Sequence, residues 1–193
     1  VYGEALAMLV GDALQALAFD ALAQLSERGV PAAAALAAVG ELARAAGSRG
    51  MAGGQAIDLW AVGRTLDAAA LERMHRMKTG AMLAASVRIG ALCGEPLATA
   101  HRAALETYGA AVGLAFQVVD DVLDVESDTQ TLGKTAGKDS EQNKPTYVTV
   151  LGLAQARQLA TRLREQAHDA LQPLGERGQR LRELADLIVM RKS

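Results

Sequence analysis

Apolar residues recur at spacings of three and four from the first positions of the chain. Leu6, Leu9, Val10, Ala13, Leu14, Leu17 and Ala18 mark a helix running to about Glu27, where Gly29-Val30-Pro31 breaks the pattern. Ala32 to Ala46 repeats the period as a second helix. The glycine-bearing stretch Gly47 to Gly54 interrupts it, and Gln55-Ala56-Ile57-Asp58-Leu59-Trp60 resumes it. Thr65-Leu66-Asp67 supplies a cap region. After it Leu71, Met74, Met77, Met82, Leu83 and Val87 carry one long helix to the stop at Gly94-Glu95-Pro96. Another helix runs from about Ala98 to Val125. Residues 126–145 are polar and glycine-bearing and read as a loop, while Thr146 to Leu171 and Arg177 to Met190 form two more helices.

Composition agrees with this all-α reading. Half of the 193 residues are apolar but only 3% are aromatic, and the alanine-rich remainder suits closely packed helices better than strands. The length fits a single helical domain. A formal charge of −2 gives no reason to expect a nucleic-acid partner. The lone Cys93 cannot form an internal disulfide and no signal peptide is visible, so a cytoplasmic location is expected. Glu4, Asp12, Gln15 and Asp20 interrupt the first apolar stretch, so no stable membrane insertion is expected. Trp60, Cys93 and the methionines at helical spacing are expected in the core. The chain opens inside a helical pattern with neither an initiator Met nor a cap, which implies missing upstream sequence.

The candidate chemistry lies in FQVVDDVLDV, residues 116–125. With Asp120 at zero on a helical wheel, Asp124 falls at about 40°, Gln117 at about 60° and Asp121 at about 100°, so all four share one arc. Val118, Val119, Val122, Leu123 and Phe116 fill the other directions, and such a helix should be buried. Three carboxylates on one buried stripe repel each other unless cations neutralise them, which points to a metal. Oxygen ligands suit Mg2+, which takes one or two protein carboxylates and completes its shell with waters and substrate phosphates. The following TLGKTAGKDSEQNKP places Lys134, Lys138 and Lys144 among glycines, and lysine is a common partner for phosphate. Carboxylates and lysines together suit a metal-bridged diphosphate. The plainer alternative is a solvated acidic face paired with those lysines. A calcium-loop reading fails because Thr129 stands where glycine is required and Thr135 where the bidentate Glu should be.

FQVVDDVLD, LGKTAGKD and NKPTY together resemble the second aspartate-rich motif of the trans-isoprenyl diphosphate synthases. GEALAMLVGDAL, GMAGGQAIDL and MKTGAML resemble that family in the same order, so the likeness covers almost the whole chain. Among its members the chain is most similar to bacterial farnesyl diphosphate synthases, by the AGKD loop and the basic ending Met190-Arg191-Lys192-Ser193. The resemblance implies a bundle of long helices around a deep apolar cavity, usually homodimeric. It also implies head-to-tail condensation of isopentenyl diphosphate with dimethylallyl or geranyl diphosphate, using three Mg2+ ions or Mn2+ in their place.

Carried over by residue, the resemblance makes Asp120 a direct metal ligand, with Asp121 and Asp124 binding metal water or orienting neighbouring groups. Lys78 and Lys134 would contact the allylic diphosphate, and Lys144 would hold the same end of the site. Lys138 lies in an insertion that some members lack. Thr79, Gln117 and the Lys78 carbonyl would face the carbocation. Gln55 and Asp58 would line the allylic pocket near the metals, and Phe116 would sit by the homoallylic substrate.

The family's first aspartate-rich motif and its set for binding isopentenyl diphosphate are not in these residues. The chain therefore resembles the C-terminal two thirds of such an enzyme, and alone it is expected to be inactive. Three alternatives remain open: a longer-chain geranylgeranyl synthase, a non-catalytic prenyltransferase subunit, and a four-helix di-iron protein. The last would use the Glu-x-x-His pairs Glu72/His75 and Glu165/His168, but the arginines beside both pairs describe solvated faces.

Overall fold

The computed structural model describes residues 3–130 and 145–191, with the backbone alone for residues 127–130. Helix α1, Glu4–Ala23, continues as a 3-10 turn, Gln24–Arg28, and stops at Gly29; α2 is Ala32–Ala46. These match the periodic pattern. Helix α3, Met51–Ala61, starts earlier than the pattern suggests and takes Gly53 and Gly54 into its first turns. Helix α4, Ala68–His75, begins at Asp67, whose carboxylate accepts the Ala70 N–H at 2.7 Å and satisfies a donor that the helix cannot.

The long run after Asp67 is not uniform. It passes through one π-helical turn, Arg76–Gly80, before α5, Ala81–Leu92. Helix α6, Thr99–Gln130, extends beyond Val125 into the stretch read as a loop; the rest of that stretch, residues 131–144, lies outside the described residues. The segment read as one helix from Thr146 divides at Gly152 into α7, Tyr147–Leu151, and α8, Leu153–Ala170. A 3-10 turn, Gln172–Gly178, then leads into α9, Gln179–Met190.

Helix α6 runs through the centre, against α8, α5, the π turn, α9 and α7. Its apolar sides feed two clusters: Leu114, Val118 and Val122 with Leu71, Met74, Tyr147 and Leu163, and Leu105, Tyr108 and Val112 with Leu171 and Ile188. Each large side chain so buried contributes roughly 1.5–3 kcal/mol. Tyr108 is fully buried, and its hydroxyl donates to the Leu181 carbonyl at 2.7 Å, tying α6 to α9. Arg88 joins α2, α5 and α6 by donating to Glu41 at 2.7 Å and to Glu106 at 3.1 Å.

Helix α1 behaves otherwise. Leu6, Met8, Leu9, Val10, Leu14 and Leu17 are all exposed, and among the described residues it rests mainly on α2 and the adjoining 3-10 turn. Glu4–Arg28 is long and apolar enough to cross a membrane by length and composition, so its acidic interruptions do not themselves exclude that. Two core expectations also fail. Trp60 is exposed with the Arg64 guanidinium 4.0 Å above its ring, and Cys93 is exposed at the end of α5.

Candidate functional site

Two glycines bring three elements together. A Cβ on Gly54 of α3 would meet the Lys78 backbone nitrogen at 2.2 Å, and one on Gly113 of α6 would meet Gly80 Cα at 2.8 Å. Backbones this close tolerate no side chain, so α3 and α6 clasp the π turn from two sides. One helical turn beyond each contact, on the same helix face, stands a polar residue: Asp58 after Gly54, and Gln117 after Gly113. The clasped turn carries Lys78 and Thr79. π-Helical turns inside α-helices frequently mark functional positions, because the extra residue re-aims side chains.

The polar groups connect accordingly. Lys78 Nζ donates to Asp58 Oδ2 at 2.6 Å, with Asp58 buried and Lys78 partly open to solvent. Thr79 Oγ1 donates to Gln117 Oε1 at 3.2 Å, and Gln117 Nε2 donates to Asp121 Oδ1 at 3.1 Å. The Tyr147 N–H donates to Asp121 Oδ2 at 2.7 Å. Hydrogen bonds thus run unbroken from the π turn through α6 to the start of α7.

The aspartate stripe divides. Asp121 is buried at 3% exposure with hydrogen bonds to both oxygens, whereas the Asp120 side chain is 48% exposed and Asp124 is half-buried. A rotation of about 100° between successive residues turns Asp121 inward while Asp120 and Asp124 keep the outer face. Shared placement on one arc therefore does not mean a shared environment. Asp121 is oriented by protein donors, and Asp120 and Asp124 form the open edge.

Arg191 stands on that edge. Its guanidinium meets the Asp120 carboxylate, lies 4.2 Å over the Phe116 ring and donates to the Phe116 carbonyl at 3.3 Å. Phe116 is thereby half-covered. Gln55 is exposed on α3 and takes no part in the hydrogen-bonded group. Lys134, Lys138 and Lys144 lie outside the described residues.

His75 is the residue that the sequence reading misplaced. It is 4% exposed, not on a solvated face, and it stacks on Tyr147 with ring centroids 5.4 Å apart. Leu71, Met74 and His75 share one buried face at spacings of three and four, and this was the available signal. Burial pushes its pKa down to about 4, the Lys78 ammonium adds to the effect, and Asp58 and Gln117 oppose it. The ring is neutral at pH 7. Among the described residues neither ring nitrogen finds a hydrogen-bond partner; Asp121 Oδ2 stands 4.0 Å from Nε2. The Tyr147 hydroxyl is likewise buried without a partner. Arg191 was visible only as part of a basic ending.

The other Glu-x-x-His pair is unlike a metal core. His168 lies 2.8 Å from Asp186, which also accepts from Arg164 at 2.6 Å. Among the described residues no three Asp, Glu, His or Cys side chains converge to hold an ion.

The polyprenyl synthetase family model matches residues 1–183. The chain is 51% identical over 186 residues to a probable farnesyl diphosphate synthase of Bradyrhizobium diazoefficiens, covering 95% of this chain and 55% of that protein. It is 46% identical over 193 residues to the farnesyl diphosphate synthase of Escherichia coli, covering 98% of this chain and 64% of the relative. A geranyltransferase of Helicobacter pylori, solved with magnesium and isoprenyl diphosphate, superposes with a TM-score of 0.79 at 30% identity, over 98% of this chain and 61% of that one. The chain thus spans less than two thirds of these relatives' length.

Proposed function

Because the chain belongs to the polyprenyl synthetase family, we propose that it forms the allylic-diphosphate half of a prenyltransferase that condenses isopentenyl diphosphate with dimethylallyl or geranyl diphosphate. The observation that carries this reading is the clasp of the π turn, which holds Lys78 and Thr79 between Asp58 and Gln117 beside the aspartate edge. The magnesium in the Helicobacter structure and the synthase names of the relatives support it. The apolar helix α1 lies within the matched region, which favours a place in the helical assembly over membrane insertion.

The residues fit Mg2+. Asp120 and Asp124 offer hard oxygen donors one turn apart on the open edge, and since no three metal-ligating side chains converge among the described residues, an ion here would complete its shell with waters and substrate phosphates. When bound, Mg2+ supplies Lewis-acid stabilisation of the departing diphosphate. Lys78 contributes a fixed positive charge to the same oxygens, held in place by Asp58. Thr79 spends its proton on Gln117, so its remaining oxygen lone pairs are free to steady an allylic cation without a mobile water. Gln117 in turn couples this dipole to Asp121.

The test replaces the matching segment of the Escherichia coli relative by this chain and follows condensation of the two diphosphates with Mg2+. Turnover that is lost on Asp120→Ala or Lys78→Ala, with helicity intact, supports the reading. Undiminished turnover in both variants removes it.

A further inference from the structure

His75 is the buried polar group that the proposed chemistry does not use. It sits directly before the π turn, within the core formed by Leu71, Met74 and Tyr147. Two unpartnered ring nitrogens in such a place are costly, and native cores keep few of them. The nearby carboxylate explains why this one persists. Asp121 Oδ2 faces Nε2 across 4.0 Å and also accepts the Tyr147 N–H, while Oδ1 accepts from Gln117.

A carboxylate only accepts hydrogen bonds, so a neutral imidazole facing it must carry its proton on Nε2. We propose that His75 is a positioning residue, which donates Nε2–H to Asp121 and thereby fixes the carboxylate next to the metal-facing Asp120. A shift of about 1 Å closes the 4.0 Å gap to a charge-assisted hydrogen bond. Stacking on Tyr147 restrains the ring plane for that approach, and Tyr147 itself donates to Asp121 through its backbone. His75 and Tyr147 thus hold one carboxylate from two sides. Outer groups of this kind typically change metal affinity by about 10–100-fold when removed, without touching the ion. The proposal rests on the diphosphate reading above for its consequence, but its geometry stands apart from it.

Two measurements on the 193-residue chain test it. In nitrogen-15 spectra at neutral pH, His75, assigned by comparison with His75→Gln, is expected as the neutral tautomer protonated on Nε2. A proton on Nδ1, or a free-imidazole mixture of tautomers, overturns the proposal. In calorimetric titrations with Mg2+ and inorganic pyrophosphate, His75→Leu is expected to bind about 10–100-fold more weakly, while His75→Gln, whose amide can still donate, keeps near wild-type affinity. A purely structural histidine would move the melting temperature and leave that affinity alone. Unchanged affinity in His75→Leu therefore also overturns the proposal. If His75→Leu does not fold, the tautomer decides. If the unaltered chain binds no Mg2+ and pyrophosphate, the diphosphate reading fails, and the tautomer still decides whether His75 holds Asp121.

Discussion

Helices α1 and α6 look alike as text, since each is a long apolar run interrupted by a few acids. In space they are opposites. Between Ala111 and Val122, α6 buries nearly every apolar residue and turns Asp121 inward onto protein donors. Helix α1 leaves Leu6, Met8, Leu9, Val10, Leu14 and Leu17 in solvent. The difference lies in neighbours: among the described residues α6 is packed against helices on several sides, whereas α1 rests mainly on α2 and a short turn. Hydrophobic periodicity states that a face seeks burial, and it says nothing about what will cover it.

The largest way to sharpen the contrast is Tyr108→Ala on α6, which removes a fully buried ring and its bond to Leu181. Denaturant unfolding should show a loss of about 3–5 kcal/mol. A loss below about 1 kcal/mol would mean that α6 is not the centre of the core.

Acid gives the next effect. The folded pKa of His75, about 4, lies below the ordinary 6.5, so the unfolded chain takes up the proton first as pH falls. The stability tied to the neutral ring is complete above about pH 6.5 and drains away towards pH 4, by up to about 1.4 kcal/mol per pH unit. Unfolding midpoints measured between about pH 7 and pH 5 should slope accordingly, and His75→Leu should flatten the slope. Equal slopes in the two proteins would contradict the burial of His75.

Smaller again is Gly113→Ala. Its new methyl meets Gly80 Cα at 2.8 Å, backbone against backbone, and overpacking of this kind costs about 1–3 kcal/mol. Gly90, with nothing within 4 Å, is the matched control, and Gly90→Ala should be neutral or stabilising by thermal melting.

Much of the fold was legible. The Ala32–Ala46 helix, the Asp67 cap and the all-α class follow from period and capping chemistry alone. The π turn was not legible, because 3.6-residue periodicity runs through Arg76–Gly80 without a break and only the clasp by Gly54 and Gly113 shows why it is there. For the site, the family resemblance named Lys78, Thr79, Gln117 and Asp58, and the structure places them in hydrogen-bonded pairs, Lys78 with Asp58 and Thr79 with Gln117. The helical wheel alone put the three aspartates on one arc, since residue type and angle do not reveal that Tyr147 and Gln117 meet Asp121. Arg191 escaped because its contact to Asp120 joins residues 71 apart in sequence, beyond the reach of any local pattern. His75 escaped because flanking arginines were weighed above apolar Leu71, four positions back, and the adjacent Met74.

The smallest expected effect falls on α1. Leu14 is 59% exposed, so Leu14→Gln removes little from water and should change the unfolding free energy of this chain by no more than about 0.5 kcal/mol. The same change on a face that becomes covered should cost about 1.5–3 kcal/mol, the value of an apolar side chain taken out of water. Placing Leu14→Gln both in the 193-residue chain and in the chimera with the Escherichia coli relative therefore reads out directly whether further protein covers α1. A small effect in the first and a large one in the second would make α1 a helix awaiting neighbours. Small effects in both would mean that its apolar face stays open even at the relatives' length. A large effect in the short chain would show that α1 is already buried there, and the contrast with α6 would vanish.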